Sequence, residues 1–261
     1  MLDRLRRWLS PKPAATASEW VAVAAQLPLL AGLDTAERAR LFELGERFLR
    51  AKAIEPVGGL EVMPAMRLAL ALQACLPILN LGLDYYRGWY SVVLYPTGFV
   101  VEHEYEDEYG TVHVGRGELV GEAWERGPVI LSWEDVESGV QRDGFNVVIH
   151  EFAHKLDMLQ GSVNGLPPLH AEMDVADWHA AFSTAYDDLC ARAEHEDAEA
   201  SQVDLYGAES PAEFFAVVSE TFFEDPHALL TQYPAVYEQL RRFYRQDPVR
   251  RLTPLSAAPS P

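Results

Sequence analysis

Two histidines and a glutamate in the middle of the chain have the types and the spacing that metal-assisted hydrolysis needs. His150 and His154 are four residues apart. On a helix their imidazoles therefore lie on one face, one turn apart, and both can reach one metal ion at about 2.0–2.1 Å. Glu151 follows the first histidine and is close enough to contact a metal-bound water without ligating the ion. Together they form the H-E-x-x-H pattern of metallopeptidase helices.

This pattern is rare by chance. The chain has eight histidines, and its composition gives roughly 0.02 chance occurrences of the pattern. The alternative interpretation is that His150 and His154 are partly buried helix residues whose polar atoms are satisfied by neighbours. Two titratable rings on an apolar helix need polar partners in either case, and one metal ion serves both. We therefore predict a metal site at the two histidines.

A tetrahedral catalytic site needs a third protein ligand, which spacing alone does not decide. No histidine follows shortly after the pattern, so a carboxylate is favoured, and Glu213 is the best candidate. Ser210 and Glu213 also form an S-x-x-E capping box, in which the glutamate would bind the cap amide instead. Glu220, seven residues on and on the same face, either orients a ligating histidine or accepts hydrogen bonds in a structural network.

Two predicted helices must hold these side chains. Asp143 is a suitable cap for a helix over residues 144–160, whose apolar positions continue past the histidines. Ser210 as N-cap and Pro211 as the first residue start the second helix, which runs to about Glu224. The metal site is therefore expected at the contact between these two helices.

The rest of the sequence predicts an α+β fold, mostly helical, with a small sheet ahead of the His150 helix. The predicted elements are helices within 19–52, a buried helix over 63–79, and strands at 90–95, 99–101 and 127–133, the first two on either side of a turn at 96–98. The strand at 127–133 could supply an edge for an extended peptide. We expect one domain over residues 19–250, with a helical part at about 19–85 and a catalytic part at about 86–250, between flexible segments at 1–18 and 251–261.

The composition is that of a globular protein with a large acidic excess. The chain has 40 acidic and 21 basic residues, a formal charge of −19, which disfavours direct nucleic-acid binding. Two cysteines fit a reducing compartment better than a disulfide scaffold. No secretion signal or uninterrupted membrane-spanning run is visible, so we expect a cytoplasmic protein. Residues 241–261 reverse the balance, with five arginines and one acid.

Three stretches resemble the Mlc titration factor A family of bacterial zinc peptidases. They are His150-Glu-Phe-Ala-His-Lys-Leu-Asp-Met-Leu-Gln-Gly161, Ser210-Pro-Ala-Glu-Phe-Phe-Ala-Val-Val-Ser-Glu-Thr-Phe-Phe223 and Phe243-Tyr-Arg-Gln-Asp-Pro248. The resemblance extends to Gly127-Pro-Val-Ile-Leu-Ser-Trp133 and covers about residues 20–250. It implies a zincin-like metallopeptidase domain of the gluzincin type, related to the anthrax lethal factor catalytic domain.

The resemblance also implies roles for individual residues. One zinc ion would be held by His150, His154 and Glu213, with Glu151 as the catalytic base. Tyr206 would face the metal and donate a hydrogen bond to the developing oxyanion, whereas by composition it could equally be a loop tyrosine without a role. The residues themselves leave Glu220 open.

The family resemblance implies two functions. The first is aminopeptidase-like hydrolysis of a peptide or protein substrate. The second is binding of a glucose-responsive transcriptional repressor of the Mlc type, which regulates genes of the phosphotransferase system. A regulatory binding protein with a mainly structural zinc, and a metal-free α+β interaction domain, are the alternatives. Nothing in the residues identifies the repressor contact.

Overall fold

Helices predominate toward both ends of the described chain, and most of the strands lie between them. The computed structural model describes residues 15–106, 112–119, 121–123, 127–194 and 201–255. The strands are β1 (Ala53–Pro56), β2 (Ser91–Tyr95), β3 (Phe99–Glu106), β4 (Val112–Leu119), β5 (Gly121–Ala123) and β6 (Val129–Ser132). The helices are α1 (Ala17–Ala24), α2 (Thr35–Ala51), α3 (Pro64–Cys75), α4 (Trp133–Ser138), α5 (Val147–Asp157), α6 (Val175–Glu194), α7 (Pro211–Glu224), α8 (Pro226–Gln232) and α9 (Pro234–Tyr244). This is the mostly helical α+β fold that the sequence predicts.

The main sheet has the strand order β1-β2-β6-β5. The first three strands are parallel, with Ile54 opposite Val92 and Val92 opposite Val129, and β5 runs antiparallel to β6. Both edges of β6 are therefore paired. The expectation that the strand at 127–133 offers a free edge to a peptide is wrong, and β5 lies outside it in the sheet.

The turn at residues 96–98 joins two different sheets. β2 pairs with β1 and β6, whereas β3 pairs only with β4 in a separate antiparallel pair. The sequence did not predict β1, a four-residue strand with a single buried side chain, Ile54. Such a strand has no hydrophobic period to detect, and its partner lies far along the chain.

Local capping decides where α5 begins. The Asn146 side chain accepts a hydrogen bond from the Ile149 amide at 3.0 Å, whereas Asp143 accepts one from the Phe145 amide at 3.2 Å. The predicted cap at Asp143 and the start at residue 144 are therefore wrong, because Asp143 serves a turn ahead of the helix. The helix ends in a short 3-10 turn over Met158–Gln160.

Two further helices test the capping and proline signals. The predicted helix over 63–79 is shorter, because α3 ends at Cys75, just ahead of Pro77, which has no amide hydrogen for a helical bond. The prediction for α7 is confirmed, since Ser210 Oγ accepts a hydrogen bond from the Glu213 amide at 3.1 Å and Pro211 is the first residue.

The helices α5 and α7 lie against each other at the centre of the molecule. Every residue of α5 is buried, and so is every residue of α7 from Phe214 to Glu224. Aromatic rings from other elements pack against them, among them Tyr86 on Phe152 of α5 and Tyr244 on Phe222 of α7. Polar side chains on such helices have little access to bulk water, so they must satisfy one another or hold an ion.

The ends of the described chain are packed rather than loose. Thr16 caps α1, which begins two residues inside the segment 1–18 that was expected to be flexible. At the other end Leu252 is buried, and its carbonyl accepts a hydrogen bond from His227 Nε2 at 2.8 Å. The remainder of both predicted flexible segments, residues 1–14 and 256–261, lies outside the described residues. Among the helices that are described, none combines the length and apolar character needed to cross a membrane.

Candidate metal centre

Three side chains from α5 and α7 converge on one point. His150 Nε2 lies 3.2 Å from His154 Nε2 and 3.0 Å from Glu213 Oε2, and the third side of the triangle, from His154 Nε2 to Glu213 Oε2, is 3.3 Å. Four ligands at 2.0–2.1 Å from a tetrahedral ion are separated by about 3.3 Å. The three atoms therefore form one face of such a tetrahedron, and these three residues could hold a metal ion.

The Glu213 carboxylate lies on the histidines rather than on the helix cap. Ser210 makes its half of the capping box by accepting the Glu213 amide. The reciprocal bond, from the Ser210 amide to the Glu213 carboxylate, is absent among the described residues. Ser210 and Pro211 thus start the helix without help from the glutamate side chain, which leaves the carboxylate available to the two imidazoles.

Glu220 orients the first histidine from behind. Its Oε1 lies 2.5 Å from His150 Nδ1, and its Oε2 accepts a hydrogen bond from the Asn146 amide at 2.8 Å. The carboxylate is therefore held at both oxygens. An acceptor at Nδ1 turns the Nε2 lone pair of His150 toward Glu213 and His154, which is the arrangement that metal-binding histidines use.

Asn146 is the residue that sequence reasoning missed. It is fully buried, caps α5 through Oδ1, and directs its Nδ2 to Gln73 Oε1 at 2.9 Å, to Glu224 Oε1 at 3.1 Å and to Gly139 O at 3.2 Å. Its backbone amide also donates a hydrogen bond to Glu220 Oε2. The available signal was a helix-capping residue type directly ahead of an apolar run, which the nearby Asp143 obscured.

Glu151 is buried next to the two histidines. Burial raises its pKa to about 7; the charges of His150 and His154 oppose this shift and those of Glu213 and Glu220 add to it. Its Oε2 has no hydrogen-bond partner among the described residues. A carboxylate with a pKa near neutrality and a free oxygen is suited to exchange a proton at this site.

Tyr206 reaches the site from the loop before α7. It lies in a 3-10 turn, Leu205–Ala208, that Asp204 caps by accepting the Tyr206 amide at 2.9 Å. Its ring centroid is 6.0 Å from that of His150, and the side chain is partly exposed. Burial of its hydroxyl, with the nearby Glu213 charge, raises the pKa of Tyr206 to about 12. The hydroxyl therefore keeps its proton at neutral pH and is a hydrogen-bond donor.

The charges at this site favour a cation. Burial lowers the pKa of His150, but its hydrogen bonds to Glu213 and Glu220 outweigh burial and raise it to about 10. Burial raises the pKa of Glu213, but the hydrogen bonds from His150 and His154 reverse this and lower it to about 2. Without an ion, a proton on the imidazole balances the carboxylates. A divalent ion does the same and displaces that proton.

Comparison with known proteins agrees with this geometry. The chain is 41% identical over 246 residues to the protein named Mlc titration factor A of Yersinia pestis (strain Pestoides F), covering 94% of this chain and 91% of the relative. The relative of the same name from Yersinia pseudotuberculosis serotype O:1b has the same identity and coverage. The model of the family described as "Glucose-regulated metallo-peptidase M90" matches residues 2–245. With nearly its whole length matched, including both helices of the candidate metal centre, the chain belongs to the glucose-regulated metallo-peptidase M90 family.

Proposed function

We propose that this protein is a zinc-dependent peptidase with aminopeptidase-like activity, whose single zinc ion is held by His150, His154 and Glu213. The observation that carries the proposal is the triangle of three ligand atoms with sides of 3.0–3.3 Å. Two imidazoles and one carboxylate are a donor set of catalytic zinc sites, and three protein ligands leave the fourth position open. Membership of a metallo-peptidase family supports the same assignment.

A zinc ion held by these three residues would supply a Lewis acid for the scissile carbonyl and would lower the pKa of a water toward about 7. Glu151 would accept a proton from the attacking water on its free carboxylate oxygen and pass that proton to the leaving amine. Its pKa of about 7 suits both steps, since the group must take up and release the proton near neutral pH. Tyr206 keeps its own proton and donates a hydrogen bond to the oxygen that gains charge.

The positioning of His150 depends on Glu220 and Asn146. Glu220 accepts a hydrogen bond from Nδ1–H of His150, so the neutral ring presents the lone pair of Nε2 to the centre. Asn146 holds the other oxygen of Glu220 and starts the helix that carries both histidines. Substrate peptides must approach from the open side of the centre, where Glu213 and Tyr206 are partly exposed.

A second proposed function comes from the name of the relatives. A factor that titrates Mlc acts by binding, and we infer that this protein also binds a glucose-responsive repressor of that type in the cytoplasm. In the regulatory alternative, zinc is mainly structural and proteolysis is incidental. The acidic surface of the chain is compatible with a basic DNA-binding partner, and the same charge also fits a solvated surface without one.

The variant Glu151→Gln separates the two functions. It keeps the size of the side chain and removes the proton acceptor, so hydrolysis of a chromogenic amino-acid anilide should fall by about 10² or more. Zinc content, measured by elemental analysis, should remain near one per chain. Glu137→Gln, an exposed glutamate of α4, is the matched control and should keep full activity.

Three outcomes decide between the proposals. Loss of hydrolysis with zinc retained supports the peptidase. Unchanged hydrolysis in Glu151→Gln would assign the activity to other residues or to a contaminant. A zinc-loaded wild-type protein that binds a repressor of the Mlc type but hydrolyses no peptide would favour the regulatory alternative.

A further inference from the structure

A cavity of about 560 Å³ lies where the C-terminal end of α9 meets the start of α2. None of its lining residues belongs to the candidate metal centre. Its walls carry five arginines: Arg241, Arg242, Arg245, Arg250 and Arg251. The chain as a whole carries a charge of −19, so this concentration of positive charge is a local exception that composition does not explain.

The acids in the cavity wall are already engaged. Asp34 Oδ1 accepts the Glu37 amide and Glu37 Oε2 accepts the Asp34 amide, both at 2.8 Å, which caps α2. Asp247 accepts the Tyr237 hydroxyl at 2.7 Å and pairs with Arg250. These carboxylates stabilise the walls, and only Asp247 is paired with one of the five arginines.

The arginines fall into two groups. Arg241, Arg245 and Arg250 make exposed ion pairs with Glu238, Glu172 and Asp247. Exposed pairs of this kind contribute little to stability, so they do not hold these guanidinium groups strongly against an incoming anion.

The second group has no acidic partner. Arg242 donates to the Glu172 carbonyl at 2.8 Å, and Arg251 donates to the carbonyls of Leu29 and Ala31. In the part of the chain that the structure describes, no carboxylate lies within 4 Å of either guanidinium. Neither guanidinium therefore has a direct ion pair, and the nearby acids act only at longer range: Glu37 and Glu224 on Arg251, and Glu238 on Arg242.

Arg251 is fixed in the wall of the cavity. Gly32 has φ +74°, and a Cβ at this position would lie 2.6 Å from Arg251 Cβ, so only glycine permits the close contact. Burial lowers the pKa of Arg251 to about 10. Its Nη2 has no hydrogen-bond partner among the described residues. A partly buried cation held by backbone carbonyls, without a direct ion pair, is costly unless an anion compensates it.

The dipole of α9 accounts for only part of the cluster. Cations are favourable in the last turn of a helix, which explains Arg241 and Arg242. Arg250 and Arg251 lie beyond the helix, in and directly after a separate 3-10 turn, yet they line the same cavity. The convergence of both segments points to a ligand rather than to helix stabilisation alone.

We propose that this cavity binds a small, multiply charged phosphate ester. Guanidinium groups match phosphate oxygens with paired hydrogen bonds, and the cavity volume is within the range of about 300–1,000 Å³ that small-molecule sites have. The five arginines outnumber the three carboxylates of the wall by two, so a ligand with at least two negative charges is favoured over a monoanion. The lining includes no aromatic side chain, so recognition depends on charge and not on stacking with a base.

The test is calorimetric titration of the zinc-loaded protein with fructose 1,6-bisphosphate, with unphosphorylated fructose as the neutral comparison. Saturable binding of the bisphosphate alone is expected, and it should weaken clearly between about 50 and 200 mM salt, since exposed charges are screened. Arg242→Gln and Arg251→Gln should each raise Kd about fivefold or more. Arg50→Gln makes the same charge change at an exposed pair on α2 and should alter Kd less than about twofold.

Several results would overturn the proposal. They are the absence of saturable binding up to about 10 mM, an equal loss of affinity in Arg50→Gln, or unchanged affinity in Arg242→Gln. Arg242→Gln removes a single hydrogen bond, so this variant remains informative if Arg251→Gln fails to fold. The zinc-deficient variant His154→Ala should bind the bisphosphate as the wild type does. Loss of binding in His154→Ala would indicate that the bisphosphate binds at the metal centre. It would contradict binding in the cavity, whether or not the protein is a peptidase.

Discussion

The helices α5 and α7 are both buried, and both carry ionisable side chains, but they contribute opposite halves of the centre. α5 supplies two imidazoles and Glu151 within one turn. α7 supplies three carboxylates, Glu213, Glu220 and Glu224, at spacings of seven and four residues, which place all three on one face. Each helix alone would leave buried polar groups without partners. The pair of helices, and not either one, is therefore the unit that makes the site.

The three carboxylates of α7 also differ from one another. Glu213 meets two imidazoles, which lower its pKa to about 2 in spite of burial. Glu224 meets the Asn146 amide, and burial raises its pKa to about 8. One residue type on one helix face thus has opposite protonation at neutral pH. The two imidazoles outweigh the burial of Glu213, whereas the hydrogen bond from Asn146 does not outweigh the burial of Glu224.

The largest expected effect comes from removing a ligand of α5. His154→Ala should abolish stoichiometric zinc binding, because two ligands at this spacing no longer enclose the ion. The melting temperature should fall to that of the metal-free wild type. The free energy of unfolding should fall by about 4 kcal/mol when free zinc is about 1,000 times its Kd. Elemental analysis and thermal denaturation measure both.

The control for that variant is His179→Ala, which removes an exposed histidine from α6. It should keep one zinc per chain and the melting temperature of the wild type. Stoichiometric zinc in His154→Ala would contradict the proposed ligand set.

The next effect concerns Glu213, for which the capping box and the metal make opposite demands. Glu213→Gln keeps the amide that Ser210 caps and removes the charge that faces the histidines. Zinc affinity and hydrolysis should both fall sharply, while the helical circular dichroism signal stays the same. Competition with a zinc chelator measures the affinity.

Glu209→Gln is the matched control for Glu213. This exposed glutamate lies directly before the cap, and its replacement should leave zinc bound. If Glu213→Gln retained full zinc affinity, the third ligand would have to be sought among other carboxylates.

A smaller effect is expected from Glu220→Gln. Glutamine can still accept a hydrogen bond from Nδ1–H of His150, but the negative charge that strengthens this hydrogen bond is lost. Zinc affinity should therefore fall by about 10–100-fold, less than for a direct ligand. Equal affinities for the variant and the wild type in the same chelator competition would mean that Glu220 is only part of a structural network.

The smallest effect on the metal centre is expected from Glu224→Gln, which should change stability and not zinc content. The pKa of Glu224 is about 8 when folded and about 4.3 when unfolded. Its protonated form contributes stability that is fully present below pH 4.3 and is lost as the pH rises through 8. Glutamine cannot ionise and keeps an oxygen for Asn146.

Thermal denaturation across the pH range tests this prediction. The difference in melting temperature between Glu224→Gln and the wild type should increase in favour of the variant from about pH 5 to pH 9. A difference that does not change with pH would show that Glu224 is not held protonated. Glu213 and Glu224 would then not differ in protonation at neutral pH.

Short-range signals predicted what depends on neighbours in sequence. The spacing of His150 and His154 follows from helical geometry, and the start of α7 follows from Ser210 and Pro211, so both were predictable. The start of α5 was mispredicted because two capping residue types, Asp143 and Asn146, lie three positions apart. Only the contacts of Asn146 with residues from other segments distinguish them.

The sequence by itself determined the H-E-x-x-H helix, the predominance of helix, and the arginine-rich stretch near the end of the chain, since all three are local in residue type and spacing. Only the tertiary structure decided that the Glu213 carboxylate lies on the histidines, that Glu220 lies behind His150, and that β6 is covered on both edges. Each of these depends on residues that are tens of positions apart. Spacing along the chain constrains such pairs only weakly, whereas burial of the two helices against each other selects one arrangement.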